Sequence, residues 1–257
     1  MTFKVVITMY NRQPSTLTTD VIEQAGMEVD YIPARTENEV IRAGNDADVL
    51  LVGTVPHTTR KVLESLPNLK MVGRSGVGVD SIDLAAATEL GICATNTPGI
   101  NTSEVADHAM AMLLSVTRKI PEQNAAVKAG AWSDRPAEIN ALRGQLRRIA
   151  GNTVGIFGLG SIGKGFANRV RGFGPSKIIA YDPYVPQTAV DLLGVEMVDF
   201  DTLLAESEYL TVHSPATTET NEIFNIDAFN KMKPTAVFIN CARGPIVDEG
   251  GLQQALE

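Results

Sequence analysis

The stretch from Thr153 to Asp182 constrains the fold of this chain more than any other part of the sequence. It begins with a short apolar run, long enough for one buried strand, and continues into a G-x-G-x-x-G motif at residues 158–163. Apolar residues then stand four positions apart, which predicts a helix. Glycines and a proline end that helix, and a second apolar strand finishes at Asp182. The pattern predicts a β-α-β unit whose first turn is rich in glycine.

Each glycine of the motif has a physical role in binding a dinucleotide. Gly158 lets the strand turn tightly into the helix, Gly160 lets the backbone approach a pyrophosphate, and Gly163 lets the helix pack close to the sheet. The phosphates would bind the unpaired N–H groups at the positive end of the helix dipole. Asp182 follows the last glycine by about 20 residues, where a carboxylate accepts hydrogen bonds from ribose hydroxyls and repels a 2′-phosphate. We therefore predict a site that prefers NAD over NADP; the alternative is an ordinary glycine-rich turn.

Composition and charge argue against several other classes of protein. The net charge of −8 does not suggest a nucleic-acid-binding surface. No apolar run approaches the roughly 20 residues that cross a bilayer, and the N-terminus resembles a first strand rather than a signal peptide. A cytoplasmic location and no membrane partner are therefore expected. Cys93 and Cys241 stand in apolar, strand-like contexts, so we expect buried, reduced thiols, and no metal site is predicted.

Short apolar strands alternate with helices through the first hundred residues, as in a parallel sheet that is covered on both faces. Strands are predicted at residues 3–9, 27–32, 47–53, 69–74 and 92–96, with helices at 16–24, 36–42, 59–66 and 81–90. The loop from Arg74 to Asp80 follows the carboxyl end of one of these strands. It can present consecutive N–H groups to an anion, or it can be a plain turn before the next helix.

A helix that is apolar nearly all round is predicted from Val105 to Val116, and it should therefore be buried. Asn101 and Glu104 have the spacing of a capping box at its start. His108 on this helix is expected to be a buried, hydrogen-bonded structural residue rather than a ligand or an acid–base group. The least regular region, residues 120–150, is interpreted either as an extended arm at a subunit contact or as a solvated loop.

The last hundred residues continue the alternation of strands and helices. Strands are predicted at residues 195–198, 209–213 and 236–241, and a short helix at 201–205. Two of these strands end in polar groups, at His213 and in the segment from Asn240 to Gly244. Because ligands of open α/β sheets bind at the carboxyl ends of the strands, we expect the cofactor and the substrate there.

Five segments together resemble one protein family, the D-isomer-specific 2-hydroxyacid dehydrogenases, which include phosphoglycerate, glycerate and D-lactate dehydrogenases. They are GRSGVGVDSID at residues 73–83, ATNTPGINTSEVADHAMAMLL at 94–114, VGIFGLGSIG at 154–163, TVHSPATTET at 211–220 and INCARGPIVDE at 239–249. The resemblance implies two flavodoxin- or Rossmann-like domains with parallel sheets and a cleft between them. Residues 1–100 would form the substrate domain and residues 101–257 the NAD-binding domain, in a homodimer.

The resemblance also implies roles for residues at the substrate site. The backbone at Val77 and Gly78 would hold the substrate carboxylate. Arg243 would be the catalytic residue that pairs with the carboxylate and polarises the carbonyl of a 2-oxo acid, which suits a guanidinium because its planar fork can grip two oxygens and it stays charged. A phosphorylated substrate would need a further cation, for which Arg74 is a candidate and Arg12 a weaker one.

The cofactor contacts implied by the resemblance extend beyond the glycine motif. Gly160, Ser161 and Ile162 would hold the pyrophosphate, and Asp182 the ribose. The remaining contacts, on the adenine and nicotinamide sides, would come from Thr102, His213, Pro215, Thr220, Cys241, Ala242 and Arg243.

The implied reaction is hydride transfer between the nicotinamide and C2 of a small 2-hydroxy acid. The family uses a histidine, tuned by a glutamate, as the acid–base pair. Both follow the Arg243 segment, with the last strands of the cofactor domain and the helix that returns to the substrate domain, so we expect them beyond residue 257. Two alternatives stay open: a short, catalytically inactive dinucleotide-binding homologue of the corepressor type, and an enzyme in which His108 or His213 replaces the base.

Overall fold

Within residues 2–10 and 14–257, the part of the chain that the computed structural model describes, the apolar runs form two five-stranded sheets. All pairings between neighbouring strands in these sheets are parallel. The chain divides between Asn101 and Thr102 into two units, and each unit contains one of the sheets with its helices. The predicted α/β fold with two parallel sheets is confirmed.

The first unit alternates strands with short helices. Its strands are β1 (Lys4–Met9), β2 (Glu28–Ala34), β3 (Val49–Val52), β4 (Met71–Arg74) and β5 (Cys93–Thr95), and its helices are α1 (Thr16–Gln24), α2 (Glu37–Ala43), α3 (Arg60–Glu64) and α4 (Leu84–Glu89). The strand order is β2-β1-β3-β4-β5, the order of flavodoxin-like folds. The direction of winding reverses between β1 and β3, and in such sheets a ligand site is expected beyond the carboxyl ends of those strands.

The second unit begins with four helices and continues as a β-α-β fold. The helices are α5 (Thr102–Arg118), α6 (Ile120–Lys128), α7 (Ala131–Asp134), α8 (Pro136–Gly144), α9 (Ser161–Val170), α10 (Phe200–Glu206), α11 (Ile226–Lys231) and α12 (Glu249–Leu256). The strands are β6 (Thr153–Phe157), β7 (Lys177–Tyr181), β8 (Glu196–Met197), β9 (Tyr209–Val212) and β10 (Val237–Asn240), in the order β10-β9-β6-β7-β8. The winding reverses between β6 and β9, which is where a dinucleotide binds in this class of sheet.

Helix α5 is buried on one face only, which corrects the prediction of burial on all sides. Ala106, Ala109 and Leu113 pack in one core cluster with side chains of α9 and of the sheet. On the opposite face Val116 is 46% exposed and His108 is also exposed, so the expectation of a buried structural histidine is wrong. The reason is the helical period, which brings only every third or fourth residue of the apolar run to the core.

Residues 120–150 are more regular than the sequence predicted, because they contain α6, α7 and α8. Prolines occupy the first turns of α6 and α8, where a missing N–H has no effect on the helix. Ala126, Ala131 and Ile139 form a small core between the three helices. The expectation of an irregular segment is therefore wrong, whereas the predicted subunit contact of this region stays a prediction. Trp132 is 64% exposed, and the Arg143 guanidinium lies 5.7 Å from its ring centroid.

Three smaller predictions also need correction. Cys93 is exposed on the edge strand β5 and Cys241 is only half-buried, although both are free thiols as expected. Asn101 does not cap α5, because its side-chain oxygen is buried and has no hydrogen-bond partner among the described residues. Helices α11 and α12 were not predicted, and several element ends differ by one to three residues. No helix in the described part of the chain is both long and apolar enough to span a membrane.

Charged groups connect the strands at the amino end of the first sheet. The Lys4 ammonium lies 2.8 Å from a carboxylate oxygen of Asp46 and 3.0 Å from one of Asp30. The Asp48 carboxylate pairs with Lys70 and accepts a hydrogen bond from the Lys4 backbone N–H at 2.9 Å. The hydrogen bond from Lys70 is the largest cause, and the Lys4 backbone bond the second, of a pKa of Asp48 below its usual range.

Replacing Asp48 with asparagine should lower the free energy of unfolding at neutral pH but not in acid. A carboxylate with a lowered folded-state pKa stabilises the fold above its unfolded pKa of about 3.9, and this contribution is lost as the pH falls through the folded-state value. Urea unfolding of both proteins across that range measures the difference. Asp20→Asn, at an exposed site with no ion pair to another described residue, is the control.

Candidate functional site

The turn from β6 into α9 is built on a glycine that packs against another loop. Gly158 has a φ of +89°, and a Cβ there would lie 2.6 Å from the Ser214 N and 2.9 Å from the His213 carbonyl carbon. No side chain fits this space, and few residues other than glycine adopt this backbone conformation. The loop that follows β9 therefore lies directly against the glycine motif, at the point where the winding of the sheet reverses.

The other two glycines of the motif differ in their surroundings. A Cβ at Gly163 would collide with the Gly158 carbonyl oxygen and lie 3.2 Å from its carbon, so α9 sits as close to β6 as the motif predicts. A Cβ at Gly160 would meet no atom within 4 Å. The backbone amides of residues 160–163 donate no hydrogen bond within the described part of the chain. The motif thus presents open space above unpaired N–H groups at a helix start, which suits a phosphate.

Asp182 is held beside this turn by backbone hydrogen bonds. One carboxylate oxygen accepts from the Leu159 N–H at 2.8 Å, and the other accepts from the Tyr184 N–H at 3.0 Å. Each carboxylate oxygen retains a second lone pair. The carboxylate is therefore fixed next to the glycine-rich turn, and it can still accept hydrogen bonds from a hydroxyl such as that of a ribose. This geometry fits a dinucleotide.

His213 and Ser214 bring unsatisfied polar atoms to the same turn. His213 Nε2 lies 3.1 Å from Thr211 Oγ1, and burial lowers the pKa of the imidazole to about 4, so the ring is neutral at pH 7. His213 Nδ1 and Ser214 Oγ are buried without a hydrogen-bond partner among the described residues. Such atoms require a partner from a ligand or from water. The sequence had singled out His213 but not Ser214, whose only signal was its place directly after the strand end.

Pro215 and Thr220 belong to a loop that is closed by its own hydrogen bonds. The Thr220 hydroxyl donates to the Pro215 carbonyl at 2.8 Å and accepts from the Thr217 N–H at 2.8 Å. Pro215 is exposed. In this structure the Thr220 hydroxyl serves the loop itself, so any contact with a cofactor would be additional to that role.

The segment after β10 is organised by the side chain of Asn240. Its amide donates to the Arg243 carbonyl at 2.9 Å and its oxygen accepts from the Ala242 N–H at 2.9 Å. The Arg243 guanidinium is half-buried and donates to the Ala242 carbonyl at 2.9 Å. Cys241 lies 3.6 Å, sulfur to sulfur, from Met112 of α5, and burial raises the pKa of its thiol. β10 thus delivers Arg243 next to the strand that ends in His213.

The remaining residues that the sequence predicted for the site are Thr102, at the start of α5, and several residues of the first unit. Thr102 begins α5, and its methyl carbon would lie 3.4 Å from a Cβ at Gly165 of α9, which places it near the cofactor helix. In the first unit, Arg74 is the last residue of β4, and Val77 and Gly78 lie in the loop that follows it. Arg12 lies outside the described residues. No cluster of metal-ligating side chains occurs in the parts of the chain that are described.

Gly163→Ala should destabilise the second unit, because the added methyl group would meet backbone atoms of Gly158 that have no room to move. We expect a loss of about 1–3 kcal/mol in the free energy of unfolding, as for other overpacked sites. Gly172→Ala is the matched control, since a Cβ there meets nothing within 4 Å. Urea unfolding measures both; an equal effect of the two substitutions would contradict the close approach of α9 to β6.

Comparison with known proteins agrees with this geometry. Residues 110–257, more than half of the chain, match the model of the family "D-isomer specific 2-hydroxyacid dehydrogenase, NAD binding domain". A D-3-phosphoglycerate dehydrogenase from Archaeoglobus fulgidus is 39% identical over 238 residues, which cover 93% of this chain and 44% of that protein. The chain thus spans less than half the length of this curated relative.

Solved structures of the same kind superpose on nearly the whole chain. An NAD-dependent formate dehydrogenase from Staphylococcus aureus in complex with NAD matches with a TM-score of 0.83 at 29% identity, covering 99% of this chain and 78% of that one. A D-lactate dehydrogenase from Aquifex aeolicus, complexed with NAD and lactic acid, has a TM-score of 0.83 at 26% identity, covering 98% and 73%. The chain belongs to the D-isomer specific 2-hydroxyacid dehydrogenase family, and NAD is the cofactor of its second unit.

Proposed function

We propose that this chain is part of an NAD-dependent dehydrogenase that transfers a hydride between the nicotinamide and C2 of a small D-2-hydroxy acid or 2-oxo acid. The observation that supports this most directly is the row of unpaired amides at residues 160–163 beside the fixed Asp182 carboxylate. NAD, when bound, supplies the hydride acceptor. The relatives named above are dehydrogenases, which favours an enzyme over an inactive dinucleotide-binding corepressor.

The chain's own residues would bind and orient the substrate. In this proposal the Val77 and Gly78 amides hold the carboxylate, and Arg243 pairs with the carboxylate and with the C2 oxygen, polarising the carbonyl. A guanidinium keeps its charge at all working pH values and donates two parallel hydrogen bonds, as both tasks need.

The proton on the C2 oxygen would be moved by a histidine–glutamate pair outside residues 1–257. His213 is a poor base for this step, because it is buried beside the phosphate-binding turn with a pKa of about 4. His108 lies exposed on α5, and no carboxylate among the described residues pairs with it. These two observations support a separate acid–base pair.

The substrate and the oligomeric state are also proposals. The name of the Archaeoglobus fulgidus relative makes D-3-phosphoglycerate the first acid to test. A homodimer that contacts the outer face of α5 and Trp132 is supported by exposed apolar side chains there, among them Met112 and Val116. A cytoplasmic location stays a prediction from the sequence.

The test of the proposed activity uses the full-length protein with NADH and a panel of 2-oxo acids, among them pyruvate, glyoxylate and 3-phosphohydroxypyruvate. Loss of NADH absorbance is expected with at least one of them. Arg243→Gln should lower kcat/KM by about a hundredfold or more, as removal of a charge-stabilising donor does. Arg42→Gln, at an exposed site on α2, is the control. NAD binding without turnover of any acid would instead support the corepressor-type function.

Asp182→Asn should reduce the preference for NAD over NADP. The substitution keeps the shape of the side chain but removes the charge that repels a 2′-phosphate, so we expect NADPH to gain at least about tenfold relative to NADH. The ratio of kcat/KM for the two cofactors measures this change. Asp227→Asn, an exposed carboxylate on α11, should leave the ratio unaltered; a similar shift in both variants would count against the assigned role of Asp182.

A further inference from the structure

In the loop after β4, three consecutive backbone carbonyls, those of residues 75–77, accept hydrogen bonds. The Ser75 carbonyl accepts a hydrogen bond from the Arg74 guanidinium. The Gly76 carbonyl accepts from the Thr97 N–H at 3.0 Å, and the Val77 carbonyl accepts from the Asn96 side-chain amide at 2.7 Å. The backbone amides of Val77 and Gly78, in contrast, donate no hydrogen bond within the described part of the chain.

These bonds determine where the two unpaired amides point. A trans peptide unit is planar, and its N–H points opposite to its carbonyl. The bond from Thr97 to the Gly76 carbonyl therefore fixes the direction of the Val77 N–H. In the same way the bond from Asn96 to the Val77 carbonyl fixes the direction of the Gly78 N–H. The result is a pair of adjacent, oriented donors, as a carboxylate needs.

Arg74 fixes the start of the same loop through a contact with a neighbouring strand. Its Nη2 donates to Thr54 Oγ1 at 2.7 Å, and Thr54 stands just past the carboxyl end of β3, where the winding of the first sheet reverses. The guanidinium lies against Gly76, since a Cβ there would be 3.0 Å from the Arg74 Cζ. Gly76 has a φ of +149°, a conformation that favours glycine.

We propose that Asn96 and the Thr54–Arg74 pair are positioning residues that hold the Val77 and Gly78 amides in the orientation that binds a substrate carboxylate. This rests on the proposed function only in taking the anion to be the carboxylate of the substrate. Arg74 acts through the loop rather than by touching the substrate. The hydroxyl of Thr54 and the amide of Asn96 thereby influence substrate affinity without being part of the binding surface.

The test measures anion binding without cofactor. Oxalate is titrated into the full-length protein, and the amide NMR resonances of Val77 and Gly78 are followed. Thr54→Val and Asn96→Ala should each raise the Kd for oxalate about tenfold. The first variant loses the hydrogen bond to the charged Arg74, and the second loses the hydrogen bond to the Val77 carbonyl. Thr54→Ser keeps the hydroxyl and should bind within about twofold of wild type. Thr97→Ala keeps the backbone N–H and is the second control. Unchanged unfolding curves exclude a general loss of structure.

Steady-state kinetics with the best 2-oxo acid provide the second readout. The same two variants should raise KM for the acid with little change in kcat, and they should not change KM for NADH.

Oxalate affinities equal to wild type in both variants would overturn the inference. So would a large loss in Arg74→Lys with none in Thr54→Val, because Arg74 would then contact the anion itself. If oxalate leaves the Val77 and Gly78 resonances unmoved while the protein reduces 2-oxo acids, the loop assignment fails and the proposed function stands. If the protein instead binds oxalate at this loop but reduces no 2-oxo acid, the loop assignment stands and the proposed function fails.

Discussion

The contact between Gly158 and the loop after β9 is the constraint on which the second unit depends. Because a Cβ at residue 158 would lie 2.6 Å from the Ser214 N, the carboxyl ends of β6 and β9 converge only when this residue is glycine. The same convergence buries Ser214 and the Nδ1 atom of His213 beside the start of α9. It leaves the amides of residues 160–163 facing open space. The unpaired amides at the start of α9 are thus a consequence of backbone packing, and in the proposed phosphate site the charge comes mainly from the helix start and Asp182.

The parallel strands were predictable because strands buried on both faces appear as continuous apolar runs, such as ADVLLVG before Thr54. Helices α6 to α8 were not, since their few apolar residues meet only one another in a small core and their prolines resemble breaks in the sequence. The exposure of one face of α5 was not predictable from the sequence, because its alanines and methionines are apolar whether or not a partner covers them. Burial of a helix face depends on what packs against it, and that information is nonlocal.

The candidate site divides in the same way between local and nonlocal signals. The glycines and Asp182 were predictable because the spacing of the motif is set by one strand, one turn and one helix. The local use of the Thr220 hydroxyl and the turn made by Asn240 depend on hydrogen bonds that no spacing encodes. The bond from Arg74 to Thr54 joins residues on two strands and has no signature in either segment. Ser214 became visible only because its hydroxyl is buried without a partner among the described residues.

The two units present unpaired backbone amides by different means. In the second unit a helix begins directly after the glycine motif, so its first amides are unpaired by the geometry of any helix. In the first unit α4 begins only at Leu84, well past the Val77 and Gly78 amides, and the carbonyls of their peptide groups accept from the Thr97 N–H and the Asn96 side chain. A substitution at a glycine that touches backbone, such as Gly158 or Gly163, destabilises the second unit. In the inference proposed above, the side chains that hold the first loop stand at strand ends, where a change would alter affinity for the substrate without removing core contacts. Under that proposal, affinity for the substrate can change while the backbone packing of the second unit stays the same.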